Sequence, residues 1–282
     1  MIIIEETAKM RQTSEKLRFS GKTIGFVPTM GALHEGHLSL VRTARDENDI
    51  VIVSIFVNPI QFGPNEDFNK YPRTFDNDCS LLEKEKVDFL FFPSVDEMYG
   101  ENFETYVDLK NLPNHLCGLK REGHFRGVAT VVAKLFNITL PHRSYFGQKD
   151  YQQAQIIRRM VEDLNFFIDI KIMPIVREKS GLAMSSRNQY LTEKQKEKAS
   201  VLYESLKLGE KLIQKGLNSP EEIKKEMQKL ILKKVPEARI DYISIADLNT
   251  LEEIQSISGS VLIALAVYIG NTRLIDNEIV RK

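Results

Sequence analysis

The stretch Asp49–Asn58, DIVIVSIFVN, is an almost unbroken apolar run rich in β-branched residues. A strand with one wet face alternates apolar and polar residues, so a run that does not alternate must be covered on both faces. Helices supply such cover when parallel strands are joined by right-handed crossovers. The flanking segments keep that rhythm. KTIGFVPT (22–29) reads as a strand and HLSLVRTARDEN (37–48) as a helix with apolar residues at helical spacing. FDNDCSLLEKEK (75–86) reads as a helix and VDFLFFP (87–93) as a strand, with a charged helix over residues 5–18 ahead of them all. The alternation continues with a helix over 124–140, a short strand RSYFG (143–147), a helix over 150–165 and a strand FIDIKIMPIV (167–176). The expected fold class is α/β, a doubly wound parallel sheet.

The character changes near Arg177. TEKQKEKASVLYESLKLGEKLIQKG (192–216) and SPEEIKKEMQKLILKKV (219–235) are Lys/Glu-rich and amphipathic, and RIDYISIADL (239–248) and SVLIALAVYIG (260–270) follow as strands. A chain of 282 residues is about two domains long. We therefore expect a first domain over 1–175 and a smaller α+β domain over 176–282.

Composition narrows the function. Hydrophobic residues at 42% and charged residues at 28% are globular values. Lys plus Arg is 39 and Asp plus Glu is 39, so the basic excess of a nucleic-acid-coating or membrane-surface protein is missing. The opening MIIIEETAKM meets Glu5 and Glu6 too soon for an export signal. The run VLIALAVYIG is too short to cross a bilayer. Cys79 and Cys117 fit no metal or redox spacing. A cytoplasmic protein with reduced thiols and no nucleic-acid or membrane partner is expected.

In such sheets ligands sit at the carboxyl ends of the strands, and polar clusters fall there. FVPTMGALHEGHLSLV (26–41) places His34 and His37 where a strand hands over to a helix. Gly31 and Gly36 are spaced as in a phosphate loop, with His37 where that loop has Lys. Small residues let backbone N–H groups approach an anion, the helix N-terminus favours negative charge, and imidazoles can donate to phosphate oxygens. Two histidines alone would more often be solvated helix caps; the glycines, the buried strand and the helix favour the anion reading. SGKT (20–23) precedes a strand and lacks the earlier Gly of a phosphate loop, and HEGH has its histidines three apart, not four as in a zinc protease.

Asn58 and Gln61 follow the most apolar strand and carry uncharged amides suited to hydroxyls and a carbonyl. Arg121, His124 and Arg126 cluster before a helix. After Gly147, Lys149 can neutralise phosphate and Asp150 can hold Mg2+, with Gln152 and Gln153 on the first helical turn. GLAMSSRNQYL (181–191) reads as a mobile phosphate-gripping loop. Taken singly, each is equally a turn, a basic surface loop, an N-cap or a connector. Their order along one sheet is the layout of a nucleotidyl-transferring site.

PTMGALHEGH, FVNPIQF, YPRT, GHFRGVATVV, GQKDYQQ and GLAMSSRN together resemble the pantothenate synthetases, ATP-dependent ligases that join pantoate to β-alanine. The resemblance covers nearly the whole chain. HEGH resembles the HIGH element, and MSSR the KMSKS element, of the wider adenylylating superfamily. It implies a Rossmann-like first domain, a C-terminal domain closing over the site, a homodimer, and ATP with Mg2+ acting through a pantoyl adenylate. His34 and His37, with Met30, Gly31, Ala32, Leu33, Glu35 and Gly36 around them, would hold ATP phosphates. Gly147, Gln148, Lys149 and Asp150 would serve phosphate and Mg2+. Val176 would meet adenine through its backbone, and Met184, Ser185, Ser186 and Arg187 would clamp the triphosphate. His34, His37, Lys149 and Arg187 would be the catalytic charges. Gln61 and Gln153 would bind pantoate, Gln61 also serving β-alanine, with Asn58, Tyr71, Arg121 and His124 in the substrate site. A cytidylyl- or adenylyltransferase acting on a phosphorylated acceptor, and a nucleotide-binding regulator without turnover, are the competing readings. AMP release separates the first from a ligase, and turnover the second.

Overall fold

The structure, a computed structural model, describes residues 1–64 and 66–281. The chain divides into two units. One comprises Met1–Lys110, Arg121–Gly147 and Gln153–Pro174, the other Asn111–Lys120, Gln148–Gln152 and Ile175–Lys282.

The first unit is built on six strands: β1 (Ile2–Ile4), β2 (Ile24–Thr29), β3 (Ile50–Ile55), β4 (Phe89–Phe91), β5 (Arg143–Gly147) and β6 (Asp169–Met173). Their order is β1-β4-β3-β2-β5-β6, and every pairing is parallel. The helices are α1 (Thr7–Phe19), α2 (Glu35–Glu47), α3 (Phe75–Lys84), the single turn α4 (Val95–Met98), α5 (His124–Thr139) and α6 (Tyr151–Asp163). From β2 the chain moves outward through β3 to β4, then returns to lay β5 on the other side of β2. That reversal makes the carboxyl ends of β2 and β5 the topological switch point, where sheets of this kind hold ligands.

The apolar run does what its composition requires. Leu40, Val41 and Ala44 of α2 pack with Val27, Val51, Val53 and Ile55 in one core. Phe26, the other-facing residue of β2, meets Phe136 of α5 edge-on at 6.3 Å. Both faces of the sheet are thus covered, as a doubly wound sheet demands. The strands are shorter than their apolar runs: VDFLFFP contributes only Phe89–Phe91. The N-terminal β1 is an addition to the sequence reading; with three residues it has no periodicity to read.

The second unit carries α7 (Glu193–Ala199), α8 (Val201–Gln214), α9 (Pro220–Lys234) and the antiparallel sheet β7 (Arg239–Ala246), β8 (Val261–Ile269), β9 (Thr272–Val280), in that order. The Lys/Glu-rich run after Thr192 breaks at Ser200 into two helices. Thr192 and Gln195 form a reciprocal capping box, and Ser219 caps α9 with Pro220 as its first residue. Leu202, Leu206, Ile223 and Met227 pack against Ile263 and Leu265 of the sheet. Among the described residues no helix is long and apolar enough to cross a membrane.

Candidate active site

The turn after β2 is held open by a residue far away in sequence. Gly31 has φ +81° and Ala32 φ +49°, two successive left-handed residues that only the first can adopt without strain. The Asp78 carboxylate, 1% exposed, accepts hydrogen bonds from Ala32 N and Leu33 N, both at 2.9 Å, and from Thr74 Oγ1 at 3.1 Å. The Thr29 hydroxyl donates to Ser54 O and accepts from Gly31 N. Thr74, the threonine of YPRT, therefore orients the carboxylate that shapes PTMGAL.

His34 is the N-cap of α2. Its Nδ1 accepts from Gly36 N at 3.1 Å, and Nδ1 of His37 accepts from His34 N at 3.3 Å. A backbone N–H can only donate, so both Nδ1 atoms are unprotonated and both rings carry their proton on Nε2. The half-buried rings lie against each other with centroids 4.1 Å apart and planes tilted by 37°. The helix-cap reading holds, and capping fixes the tautomer that makes each Nε2 a donor. Glu35 is exposed and pairs with Arg42.

A second cluster converges on Gln61, in the single-turn helix Pro59–Gln61 after β3. Asn58, 1% exposed, donates through Nδ2 to Gly127 O (3.1 Å) and Gln61 Oε1 (3.0 Å), and its Oδ1 accepts from Tyr99 OH (2.8 Å). The carbonyl partner fixes the Asn58 amide, which in turn fixes that of Gln61, whose Nε2 donates to Met30 Sδ at 3.0 Å. Burial pushes the Tyr99 hydroxyl up and keeps it a donor. Arg121 grips Glu66 with two bonds of 2.6 Å and donates to His124 Nε2 at 2.8 Å. His124 consequently carries its proton on Nδ1, which donates to Gln61 O at 2.8 Å. Burial works to raise the Glu66 carboxyl, but the hydrogen bonds and charge of Arg121 outweigh it and hold it low. Gly127 lets α5 come this close: a Cβ there would lie 2.4 Å from Ile60 O and 2.7 Å from Gln61 Cα. Tyr71 is buried beside Phe62, ring to ring at 6.0 Å.

In the second unit the single-turn helix Gln148–Asp150 follows β5. Lys149 Nζ lies 3.3 Å from Asp150 Oδ2. Gln152 is spent internally, donating to Leu112 O and His115 O and accepting from Cys117 N. Gln153, in the first unit, is half-buried. The segment expected to be a mobile loop folds as a hairpin followed by a capped turn. Met184 N donates to Val176 O, Arg177 and Ala183 form a bridge, Gly181 N returns to Glu178 O, and Ser185 caps the single-turn helix Ser186–Tyr190 by accepting from Arg187 N. Asn188 ties it down through Glu178 and Ala183 O.

Met30, Gly31, His34 and His37 thus share one turn, and Met30 also belongs to the cluster of Gln61, Asn58, Arg121 and His124. Asp78, Glu66 and Tyr99 brace these groups, and in the second unit the β9 residues Asp276 and Asn277 brace Arg177 and the Lys149 turn; all five escape the sequence reading. Among the described residues no three His, Cys, Asp or Glu side chains group as a metal site. A cation at Asp150 would take its other ligands from phosphate oxygens and water.

Fold and site together define a class: a doubly wound α/β protein with a histidine pair at a helix start beside its topological switch point. Comparison with known proteins narrows it. The family model described as pantoate-beta-alanine ligase matches residues 2–279, and the chain belongs to that family. It is 58% identical over 279 residues to the pantothenate synthetase of Thermotoga petrophila, covering 99% of both chains. It is 55% identical over 280 residues to that of Caldicellulosiruptor bescii, again over 99% of both. The solved pantothenate synthetase of Thermus thermophilus superposes with a TM-score of 0.94 at 43% identity over 100% of both chains. The pantoate-beta-alanine ligase of Francisella tularensis, described in complex with beta-gamma ATP and beta-alanine, gives 0.81 at 39% identity over 99% of this chain and 97% of that one.

Proposed function

We propose that this chain condenses pantoate with β-alanine at the expense of ATP, giving pantothenate, AMP and pyrophosphate through a pantoyl adenylate. The observation that carries the reading is the imidazole pair His34 and His37, both with Nε2 protons, on the turn after β2. Family membership supplies the substrate pair, and the nucleotide and β-alanine in the Francisella complex agree with it.

In the first step a pantoate carboxylate oxygen attacks the α-phosphorus of ATP. The bond from that phosphorus to its bridging oxygen breaks, and pyrophosphate leaves with the electron pair. Nε2–H of His34 and His37, with Lys149 and Arg187, stabilises the added negative charge; such fixed donors are most effective where charge develops. In the second step the β-alanine amine attacks the acyl carbon, AMP leaves, and the nitrogen gives up a proton. Gln61 and Gln153 bind pantoate, and the Gln61 amide keeps one orientation because Asn58 and Tyr99 impose it. Asn58, Arg121 and His124 act here by holding Gln61. Val176 meets the adenine, and Met184 to Arg187 the triphosphate.

Mg2+ accompanies the nucleotide. A hard ion that keeps waters and phosphate oxygens needs only one or two protein carboxylates, which fits the half-exposed Asp150; held there it would neutralise phosphate charge. We infer also a homodimer in the cytoplasm and a C-terminal domain, from residue 176, that closes over bound nucleotide.

The test is isotope exchange. With labelled pyrophosphate, MgATP and pantoate, label should enter ATP without β-alanine, and omitting pantoate should abolish it. Exchange that requires β-alanine would exclude an adenylate formed ahead of the amine. Hydrogen exchange at residues 181–188 should slow when MgATP is added if closure occurs.

A further inference from the structure

Strand β9 runs Thr272-Arg-Leu-Ile-Asp-Asn-Glu-Ile-Val280, and its two central polar residues are buried. Asp276 and Asn277 are each 3% exposed. Polar groups are placed in a core only where their hydrogen bonds are met, and here the side-chain partners outside β9 belong to two segments. Asn277 Nδ2 donates to Gln148 O at 3.0 Å and Lys149 O at 2.9 Å, and its Oδ1 accepts from Gln148 Nε2 at 3.2 Å. Two carbonyls on one amide group leave no freedom in how that amide faces. Asp276 takes Arg177 in a fork, Nη1 to Oδ2 at 2.6 Å and Nη2 to Oδ1 at 3.0 Å, and accepts from Asn277 N at 2.8 Å. The same guanidinium donates to Gly181 O at 3.1 Å and lies over the Tyr203 ring at 4.0 Å.

One dipeptide therefore fixes the main chain of the Lys149 turn and, through Arg177, the hairpin that leads into Met184–Arg187. We propose that Asn277 and Asp276 are positioning residues for the triphosphate-binding groups, Asn277 aiming Lys149 and Asp276 aiming Arg187. The inference rests on the roles given above to Lys149 and Arg187. Neither β9 residue touches the nucleotide; each acts by removing the freedom of a segment that does. A charge aimed about 1 Å wide of a phosphate loses much of its effect on the reaction at phosphorus.

The discriminating experiment is a double-mutant cycle read by pyrophosphate exchange and by separate KM values. Asn277→Asp keeps the shape but sets an oxygen against the two carbonyls. It should raise the ATP KM about tenfold, one hydrogen bond's worth, and leave the pantoate KM within about twofold. In a Lys149→Ala background the same change should add nothing further, because the group it aims is gone. If Asn277→Asp does not fold, Asn277→Ala, which removes the donors without opposing oxygens, is read in the same cycle. An Asn277 effect that multiplies with that of Lys149→Ala, or that raises both KM values equally, overturns the inference and leaves the proposed reaction standing. A Lys149→Ala enzyme with wild-type exchange overturns the role of Lys149 and the inference together.

Discussion

Replacing Asp78 by Asn should damage the turn after β2 that leads to His34. Its two carboxylate oxygens accept from Ala32 N and Leu33 N, one each, and Oδ1 accepts also from Thr74 Oγ1. An amide has one acceptor oxygen. Whichever way it faces, its NH2 meets a backbone N–H that can only donate, and one buried donor loses its partner at about 1–3 kcal/mol. The surviving bond also falls from charge-assisted to neutral, about another 1 kcal/mol. The sum is about 3 kcal/mol, on the order of a hundredfold in an equilibrium constant. Some of it relaxes the turn instead of unfolding the chain, since the left-handed Ala32 is braced by this carboxylate.

Two assays separate the shares. Urea denaturation should move to a lower midpoint, and pyrophosphate exchange should need more ATP at unchanged pantoate. Thr74→Val, which removes only the third donor, should lose about 1 kcal/mol on the same scale. An Asp78→Asn protein with wild-type midpoint and wild-type ATP dependence would refute the reasoning, because it would mean the turn holds its shape without the carboxylate.

His37→Ala should cut kcat by about two to three orders of magnitude with the fold intact; wild-type exchange in a folded variant would remove His37 from the mechanism. Gln153→Ala should raise the pantoate KM more than the ATP KM, and equal changes would indicate misfolding. Gly127→Ala should displace the main chain of Ile60 and Gln61, which a Cβ would touch at 2.4 and 2.7 Å, lowering both stability and pantoate affinity; a crystal structure with Gln61 unmoved would contradict this. His142 accepts from Ile24 N through Nδ1, and burial, with the charges of Arg18 and Arg143 behind it, lowers its pKa. The unfolded chain then binds the proton more readily, so the contribution is full above about pH 6.5 and is lost as pH falls below it. The stability difference between wild type and His142→Asn should shrink from about pH 7.5 to about pH 5.5, and a constant difference would show that His142 is not the titrating group.

What can be read in the sequence, and what cannot, divides along a physical line. The β3 run announces a strand covered on both faces because burial acts on every residue in it. The histidines are legible because a strand end and a helix start locate them within a few residues. Asp78 is not, because a carboxylate in the first turn of α3 already has a sufficient local reason to be there, the helix dipole. Its partners lie 45 and 46 residues back in the chain, and nothing short of the fold brings them to it. Glu66 and Tyr99, 55 and 41 residues from their partners, are hidden in the same way. Strand β9 stays hidden for the opposite reason. The turn Gly270–Asn271 before it is a hairpin signal of the two-residue kind, but Asp276 and Asn277 break the apolar pattern that would complete the reading. A pattern based on hydrophobicity treats a buried polar pair as a loop, yet a strand can bury such a pair only when its hydrogen bonds are met, here mainly by other segments. The gap in the pattern and the brace on the Lys149 turn are thus one fact. An interrupted strand following a clear hairpin turn is therefore a place to look for residues that hold a site without belonging to it.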